Sequence, residues 1–267
     1  MKGNEPLKEE LLFHQSSVKV LKDRTIVTAP AGRGIWKAAQ GGEWASMAIG
    51  LPTQTHVNRL QLSGETLFAC TNQGMFKLER ESWRPMEMPM TCYQYRDVGH
   101  SAFAATSHGL WCLTEKGWKS AAFSYSPVYD FLYTPHYLFL AMEWGIAMYD
   151  RLTCAWQEYP LGTRITGLGV FGGRLFGVTE HGEWMLGNKK GGFDKIKFPG
   201  IFIFNTVMCD RSVYVCADRG LYRMDILRGQ PSLLSVNLGG PVTDLHIRDG
   251  SLYLATLSEG IQTIDMR

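Results

Sequence analysis

Short apolar stretches alternate with polar breaks along the whole chain, and the breaks are rich in Gly, Asn, Asp and Ser. One phrase recurs: an apolar strand, a polar turn, a glycine, then a second apolar strand. Thr25-Ile-Val-Thr-Ala leads to Gly34-Ile-Trp-Lys, Thr66-Leu-Phe-Ala-Cys-Thr to Gly74-Met-Phe-Lys, and Ser101-Ala-Phe-Ala-Ala-Thr to Gly109-Leu-Trp-Cys. Tyr137-Leu-Phe-Leu-Ala-Met leads to Gly145-Ile-Ala-Met, Arg174-Leu-Phe-Gly-Val-Thr to Gly182-Glu-Trp-Met, Ser212-Val-Tyr-Val-Cys-Ala to Gly220-Leu-Tyr-Arg, and Ser251-Leu-Tyr-Leu-Ala-Thr to Gly260-Ile-Gln-Thr. The marker glycines are 40, 35, 36, 37, 38 and 40 residues apart. A fixed period of this size is the signature of a repeat architecture.

Each copy carries four strand signals. In the second, Asn58–Leu62 is strand A, Ser63-Gly64-Glu65 a turn and Thr66–Thr71 strand B. Asn72-Gln73-Gly74 is the B–C turn, Met75–Glu79 strand C, and Trp83–Met88 strand D, closed by Pro89. These runs are rich in β-branched and aromatic residues and bounded by turn formers. The turn glycine fits a position of positive φ, which L side chains resist. Strand B is apolar on both faces, as in Leu67-Phe-Ala-Cys, so each unit needs a neighbour on either side. A linear stack would leave two raw ends, and closure into a ring removes them. No sustained 3.6-residue period appears, which argues against a barrel with outer helices.

The pattern therefore predicts an all-β chain: one seven-bladed β-propeller of four-stranded antiparallel blades spanning residues 1–267. The seventh unit supplies A (Val242–Arg248), B (Leu252–Thr256) and C (Ile261–Met266), then ends. Its fourth strand is expected from residues 10–14, Glu10-Leu-Leu-Phe-His14, with Leu11–His14 pairing onto the last strand C. Residues 1–9 are expected to be a flexible N-terminal segment.

The unit Leu-Phe/Tyr-x-x-Thr-x-x-Gly-Leu/Ile-Phe/Tyr/Trp, followed by a linker and Trp, resembles the Asp-box (BNR) and two-component-regulator propeller repeats. It is also similar to the repeats of the photosystem assembly factor family. Thr106-Ser-His-Gly-Leu-Trp111 with Gly117-Trp118, and Thr71-Asn-Gln-Gly-Met-Phe76 with Ser82-Trp83, carry the likeness. It covers Val18 to Arg267 as repeat grammar. The Asp-box itself is degraded: Gln40-Gly-Gly-Glu-Trp44 and Glu115-Lys-Gly-Trp118 keep the Gly and Trp alone. No blade ends in Trp-Asp, which sets the chain apart from WD40 repeats. Such repeats host sialidases, lyases, assembly factors and sensors, so the resemblance implies a fold and not an activity.

Composition narrows the classes. The net charge is +2, the pI is about 8.2, and the densest basic cluster is Lys189-Lys190. Nucleic-acid binding is disfavoured, since it leaves a larger basic footprint. No apolar run approaches the roughly 18 residues of a membrane helix. The N-terminus shows no apolar core of a secretory signal. Six cysteines occur with no C-x-x-C pair, which disfavours a zinc or thioredoxin-type site. Cys70, Cys112 and Cys216 lie inside apolar runs and behave as small hydrophobes. A cytoplasmic location is expected from them.

In a propeller the B–C turns and D-to-A connections share one face, the top, and loops on a rigid scaffold are where binding resides. The B–C turns hold Arg33, Asn72-Gln73, Ser107-His108, Glu143-Trp144, Glu180-His181, Asp218-Arg219 and Ser258-Glu259; His56, Tyr93, Tyr129, Arg164, Phe202 and Phe204 are assigned to the connections. The first expectation is a binding or scaffold module presenting this face to a protein partner or small polar ligand through Arg33, Asn72, Trp144, Arg164, Asp218 and Arg219. The alternative is a lyase, cyclase or hydrolase using His108, Glu143, Glu180 and His181 as an acid–base set on a polar small molecule. The same groups are chemically able to hold a divalent metal, though their spacing assigns none. The residues name no cofactor. A sialidase is disfavoured, because Arg33, Arg164 and Arg219 are scattered. Trp36, Trp111, Trp184 and Tyr222 recur at one position of strand C and are expected to pack blades, and Met86, Met88 and Met90 to pack an outer strand.

Overall fold

The computed structural model describes residues 15–99 and 101–266. Those residues contain strands and turns but no helix, arranged as a seven-bladed β-propeller. Six sheets have four antiparallel strands and the seventh, among the described residues, has three. The predicted closing strand 10–14 lies outside the described residues. The ring is nevertheless closed at its axis, where the innermost strand of every blade meets that of the next. These A strands are Gln15–Val20, Val57–Ser63, Cys92–Val98, Val128–Tyr133, Ile165–Phe171, Ile203–Cys209 and Val242–Arg248, and the last touches the first.

Strand boundaries follow the sequence pattern closely. Strand B of the second blade runs Thr66–Thr71 and strand C Gly74–Glu79, while strand D is shorter than expected, at Ser82–Pro85. Gly145 shows why the marker position is glycine. Its φ is +149°, and a Cβ there would stand 2.1 Å from the Tyr159 carbonyl oxygen. Gly220 repeats this, with a Cβ 2.1 Å from the Asn237 oxygen. The glycine is needed for the turn and also for the close return of strand D.

Apolar faces meet between blades. Val27, Ala29, Ile35 and Met47 of blade one form one core with Leu60, Leu67 and Trp83 of blade two. Val18, Val20 and Ile26 pack on Tyr253 and Ala255 across the junction of first and last blades. Each of the larger aliphatic side chains among them, fully buried, stabilises by roughly 1.5–3 kcal/mol. The tryptophan kept from the Asp-box pattern pegs neighbours together: Trp83 Nε1 donates to the Met47 carbonyl at 2.7 Å and Trp118 Nε1 to that of Met86 at 2.8 Å. Trp184 and Tyr222 are buried, with Trp184 stacked on Phe176 at 4.0 Å between centroids. Trp36 and Trp111 are partly exposed and donate to the carbonyls of Arg33 and His108. Met88 is buried and Met86 and Met90 pack against the same core, but all three follow strand D, which ends at Pro85, rather than lying in an outer strand as expected.

Strand A is the inner edge of each sheet, so its free backbone groups need partners. A register shift near the start of each A strand marks a bulge or irregularity. The residues that follow it are Ser17, Arg59, Gln94, Asp130, Gly167, Asn205 and Asp244. Three of them accept from the next blade's backbone in the same way: Ser17 Oγ from Leu60 N at 3.2 Å, Asp130 Oδ2 from Leu168 N at 2.9 Å, and Asp244 Oδ2 from Val18 N at 3.0 Å. Asp130 also accepts from Gln94, Arg96 and Phe131 N. Asp244 accepts from Ser17, Lys19 and Asn205. Burial raises the Asp244 pKa, but Lys19 and these donors outweigh it and hold the carboxyl below its usual 3.8.

His246 lies two residues further along the same strand. Burial, reinforced by the Lys19 charge, pushes its pKa down to about 4, with Asp244 opposing. The unfolded chain takes up this proton near pH 6.5 and the folded chain does not. Its contribution to stability is therefore complete above about pH 6.5 and is lost as pH falls from about 6.5 towards 4. We predict that His246→Gln flattens the pH dependence of the urea midpoint across that window. Equal slopes in variant and parent would contradict the assignment.

Candidate binding face

The top face is built by a repeated link. A B–C turn N–H donates to the carbonyl sixteen residues earlier, as in Asn72 to His56, Ser107 to Thr91, Glu180 to Arg164 and Asp218 to Phe202. Side chains reinforce the link: Asn72, Glu180 and Asp218 accept from the N–H of His56, Arg164 and Phe202 at 2.8, 3.4 and 2.9 Å. The turn itself is set by a buried threonine ending strand B. Thr71 and Thr106 each donate to the marker glycine's carbonyl and accept from the turn N–H. The B–C turns and D-to-A segments thus share one face.

Blades three to five bring several of the expected residues together. Arg164 makes a two-pronged contact with Glu143, Nε to Oε2 at 2.8 Å and Nη2 to Oε1 at 2.6 Å. The Tyr129 hydroxyl donates to the same Oε2. Arg164 lies 5.1 Å over the Tyr129 ring, which tilts against Tyr93 at 5.0 Å. Its other side faces Glu180 at 3.6 Å, with His181 Nε2 4.0 Å from that carboxylate. Hydrogen bonding from Arg164, then from Tyr129, lowers the Glu143 pKa. Burial and the bond to Glu143 raise the Tyr129 hydroxyl, and Glu143 raises Arg164. A carboxylate held charged and already supplied with donors has little to offer as a general acid.

The remaining expected residues stand apart from this group. His108 bonds to Ser107 and Thr106 within its own turn, and no hydrogen bond or ion pair joins it to Glu143, Glu180 or His181. Arg33 shapes its turn through the backbone, donating to Pro30 O. The Trp144 carbonyl receives Leu161 N, and its ring packs on the core of blade four. Arg219 lies against Gly200, where a Cβ would meet Nη2 at 3.1 Å. Tyr93, Tyr129 and Phe204, assigned from sequence to connections, sit inside strand A at the register shift, because strand pairing begins one residue before each of them. Phe202 and Phe204 pack together at 5.3 Å yet stay 40% and 36% exposed. Among the described residues no three His, Cys, Asp or Glu side chains gather as a metal site.

The sequence reading placed no site in the central channel. A cavity of about 250 Å³ there is lined by Lys19, Arg59, Gln61, Arg96, Asp130 and His246 among others. The available signal was a lone polar residue near the start of an apolar strand A, as in Val128-Tyr-Asp-Phe-Leu and Val242-Thr-Asp-Leu.

No family model and no curated protein matches the sequence. Solved structures match the fold. The extracellular domain of the one-component system BT4673 from B. thetaiotaomicron aligns with TM-score 0.74 and 12% identity over 94% of this chain and 38% of that one. The extracellular domain of the hybrid two-component system BT3049 from the same organism aligns with TM-score 0.74 and 13% identity, over 94% of this chain and 40% of that one. This chain therefore spans about two fifths of those domains. YCF48, solved bound to D1 peptide, aligns with TM-score 0.70 and 10% identity over 100% of this chain and 98% of that one. The repeat-level likeness to regulator propellers thus has structural counterparts. The cytoplasmic expectation is corrected by the same comparison, since the regulator neighbours are extracellular domains. Its physical basis was also weak: Cys70, Cys92 and Cys216 are free and buried, and a buried thiol packs as a small hydrophobe in any compartment. No helix of the described residues is long and apolar enough to cross a membrane.

Arg164→Gln removes the principal donor to Glu143. The Glu143 pKa, followed by carboxyl carbon NMR, is expected to rise towards its ordinary 4.5. An unchanged titration would show that the pair does not persist in solution.

Proposed function

We propose that this propeller is a non-catalytic binding module that presents its top face to a protein partner. The observation that carries the reading is an arc of aromatic side chains with one arginine between them. Tyr93 and Tyr129 stand on blades three and four, Arg164 on blade five, and Phe202 and Phe204 on blade six. Tyr93, Tyr129 and Phe204 occupy the same repeat position, so the arc follows from the blade geometry itself. Tyr, Trp and Arg dominate the energetic centres of protein interfaces. Phe202 and Phe204 leave apolar surface in water on a rigid loop base, where a partner would remove it.

Neighbours of the same fold support a binding role, and YCF48 was solved with a peptide bound. The ionisable groups favour binding over acid–base chemistry. Glu143 is committed to Arg164 and Tyr129, and His108 stands apart in blade three. Arg164 is poised to exchange part of its contact with Glu143 or Glu180 for a partner carboxylate, which would give specificity in a planar, two-pronged geometry.

A photo-crosslinker placed at Phe204 in native cells is expected to capture a discrete protein adduct. The same probe at Lys116, in the C–D turn of blade three on the opposite face, is expected to capture none. Tyr129→Ala combined with Phe202→Ala should reduce the Phe204 adduct by about tenfold or more, in line with the loss of interface hot spots. Adducts from Lys116 alone, or an adduct indifferent to both substitutions, would refute the assignment of the face.

A further inference from the structure

We infer that the central channel, at the level of the hydrogen-bonded belt and just beneath it, is a binding site for a small oxyanion, with Arg59, a belt residue, as its anchoring cation. This site is separate from the top face and does not rest on the reading given for it. Strand A starts at the top, where the B–C turns are linked to it, and runs towards the A–B turns below. Lys19, Gln61, Arg96 and His246 lie further along their strands than Asp130 and Asp244, so the cavity extends beneath the belt of hydrogen-bonded side chains.

Charge bookkeeping in this cavity leaves one cation over. Lys19 Nζ is 3.1 Å from Asp244 Oδ2, and Arg96 Nη2 is 3.1 Å from Asp130 Oδ1. The guanidinium of the third cation, Arg59, makes no hydrogen bond or ion pair with the side chain or backbone of any described residue and acts on Asp244 through its charge alone. A half-buried guanidinium with five donors and no acceptor is a poor end state, because desolvated charge wants a partner. The two carboxylates cannot serve a metal instead. Asp130 already accepts from Gln94, Arg96, Phe131 N and Leu168 N. Asp244 accepts from Ser17, Val18 N, Lys19 and Asn205.

Space is left where it is needed. Blade five places Gly167 at the position that carries polar side chains in the other six blades, and a Cβ there would find nothing nearer than Asp130 Oδ2 at 4.0 Å. The cavity, about 250 Å³, lies just under the usual range for drug-sized ligands of about 300–1,000 Å³. That size suits phosphate or a short dicarboxylate. Gln61 and the neutral imidazole of His246 line the same space and add hydrogen-bonding capacity without more charge. A guanidinium engages the two oxygens of a carboxylate or phosphate in parallel, which fixes the ligand's orientation.

Two probes, inorganic phosphate and succinate, distinguish the two sources of such an anion. Titration calorimetry on the whole chain is expected to show saturable one-to-one binding of at least one of them. Arg59→Gln should weaken that binding about tenfold or more, while Arg84→Gln, on the outer strand of blade two, should leave it unchanged. A readout that needs no variant is phenylglyoxal modification of Arg59 mapped by mass spectrometry, which the bound anion should slow. Binding of neither probe, equal binding by Arg59→Gln, or an Arg59 modified at the same rate with and without anion would each overturn the site.

Discussion

Asp244 carries four hydrogen bonds on two carboxylate oxygens, and three of the donors belong to the first blade. They are Ser17 Oγ, Val18 N and Lys19 Nζ, more than 220 residues away in sequence, while the fourth is Asn205 of blade six. A propeller is a chain of nearest-neighbour contacts, and its weakest joint is where its two ends must find each other. At that joint the apolar contact of Val18 and Val20 with Tyr253 and Ala255 supplies non-directional attraction. The carboxylate supplies register. A one-residue slip would turn the apolar face of the strand outward and leave a buried charge without donors.

The same logic organises the two openings of the ring. Inner strands need acceptors along their free edge, and side chains of the preceding blade provide them where Asp130 and Asp244 stand. This belt fixes the start of strand A in blades four and seven, and the aromatic residue just before Gln94, Asp130 and Asn205 is carried towards the top. The arc of Tyr93, Tyr129 and Phe204 is therefore a by-product of the geometry that ties the blades together. In the cavity that the belt borders, unequal numbers of cations and carboxylates leave Arg59 unmatched. One rigid scaffold thus offers an aromatic face above and a charged cavity below, with different chemical appetites.

The repeat was plain in the sequence because it is carried by residue types with few substitutes. A glycine pressed against a carbonyl, as at Gly145 and Gly220, tolerates no side chain, and strand B must be apolar on both faces to be sandwiched. The channel was not plain, since Ser17, Arg59, Gln94, Asp130, Gly167, Asn205 and Asp244 share a position but no chemistry. Their equivalence rests on a register shift that shows only in strand pairing. Glu143, Glu180 and His181 were grouped from turn positions and Arg164 came from a connection, but their contact with one another and with Tyr129 depends on how adjacent blades are rotated. His108 was grouped with them by its residue type and by neighbouring order, but blade three turns it towards Ser107.

The claim that buried carboxylates lock the ring is tested most directly by amide hydrogen exchange in Asp244→Ala. The account predicts that protection collapses at Val18 and spreads through blades one and seven, with Leu168, served by Asp130, far less affected. Removing one member of a buried pair should cost about 3–5 kcal/mol in global stability. Unchanged protection at Val18, with stability within about 0.5 kcal/mol of the parent as for an ordinary surface substitution, would contradict it.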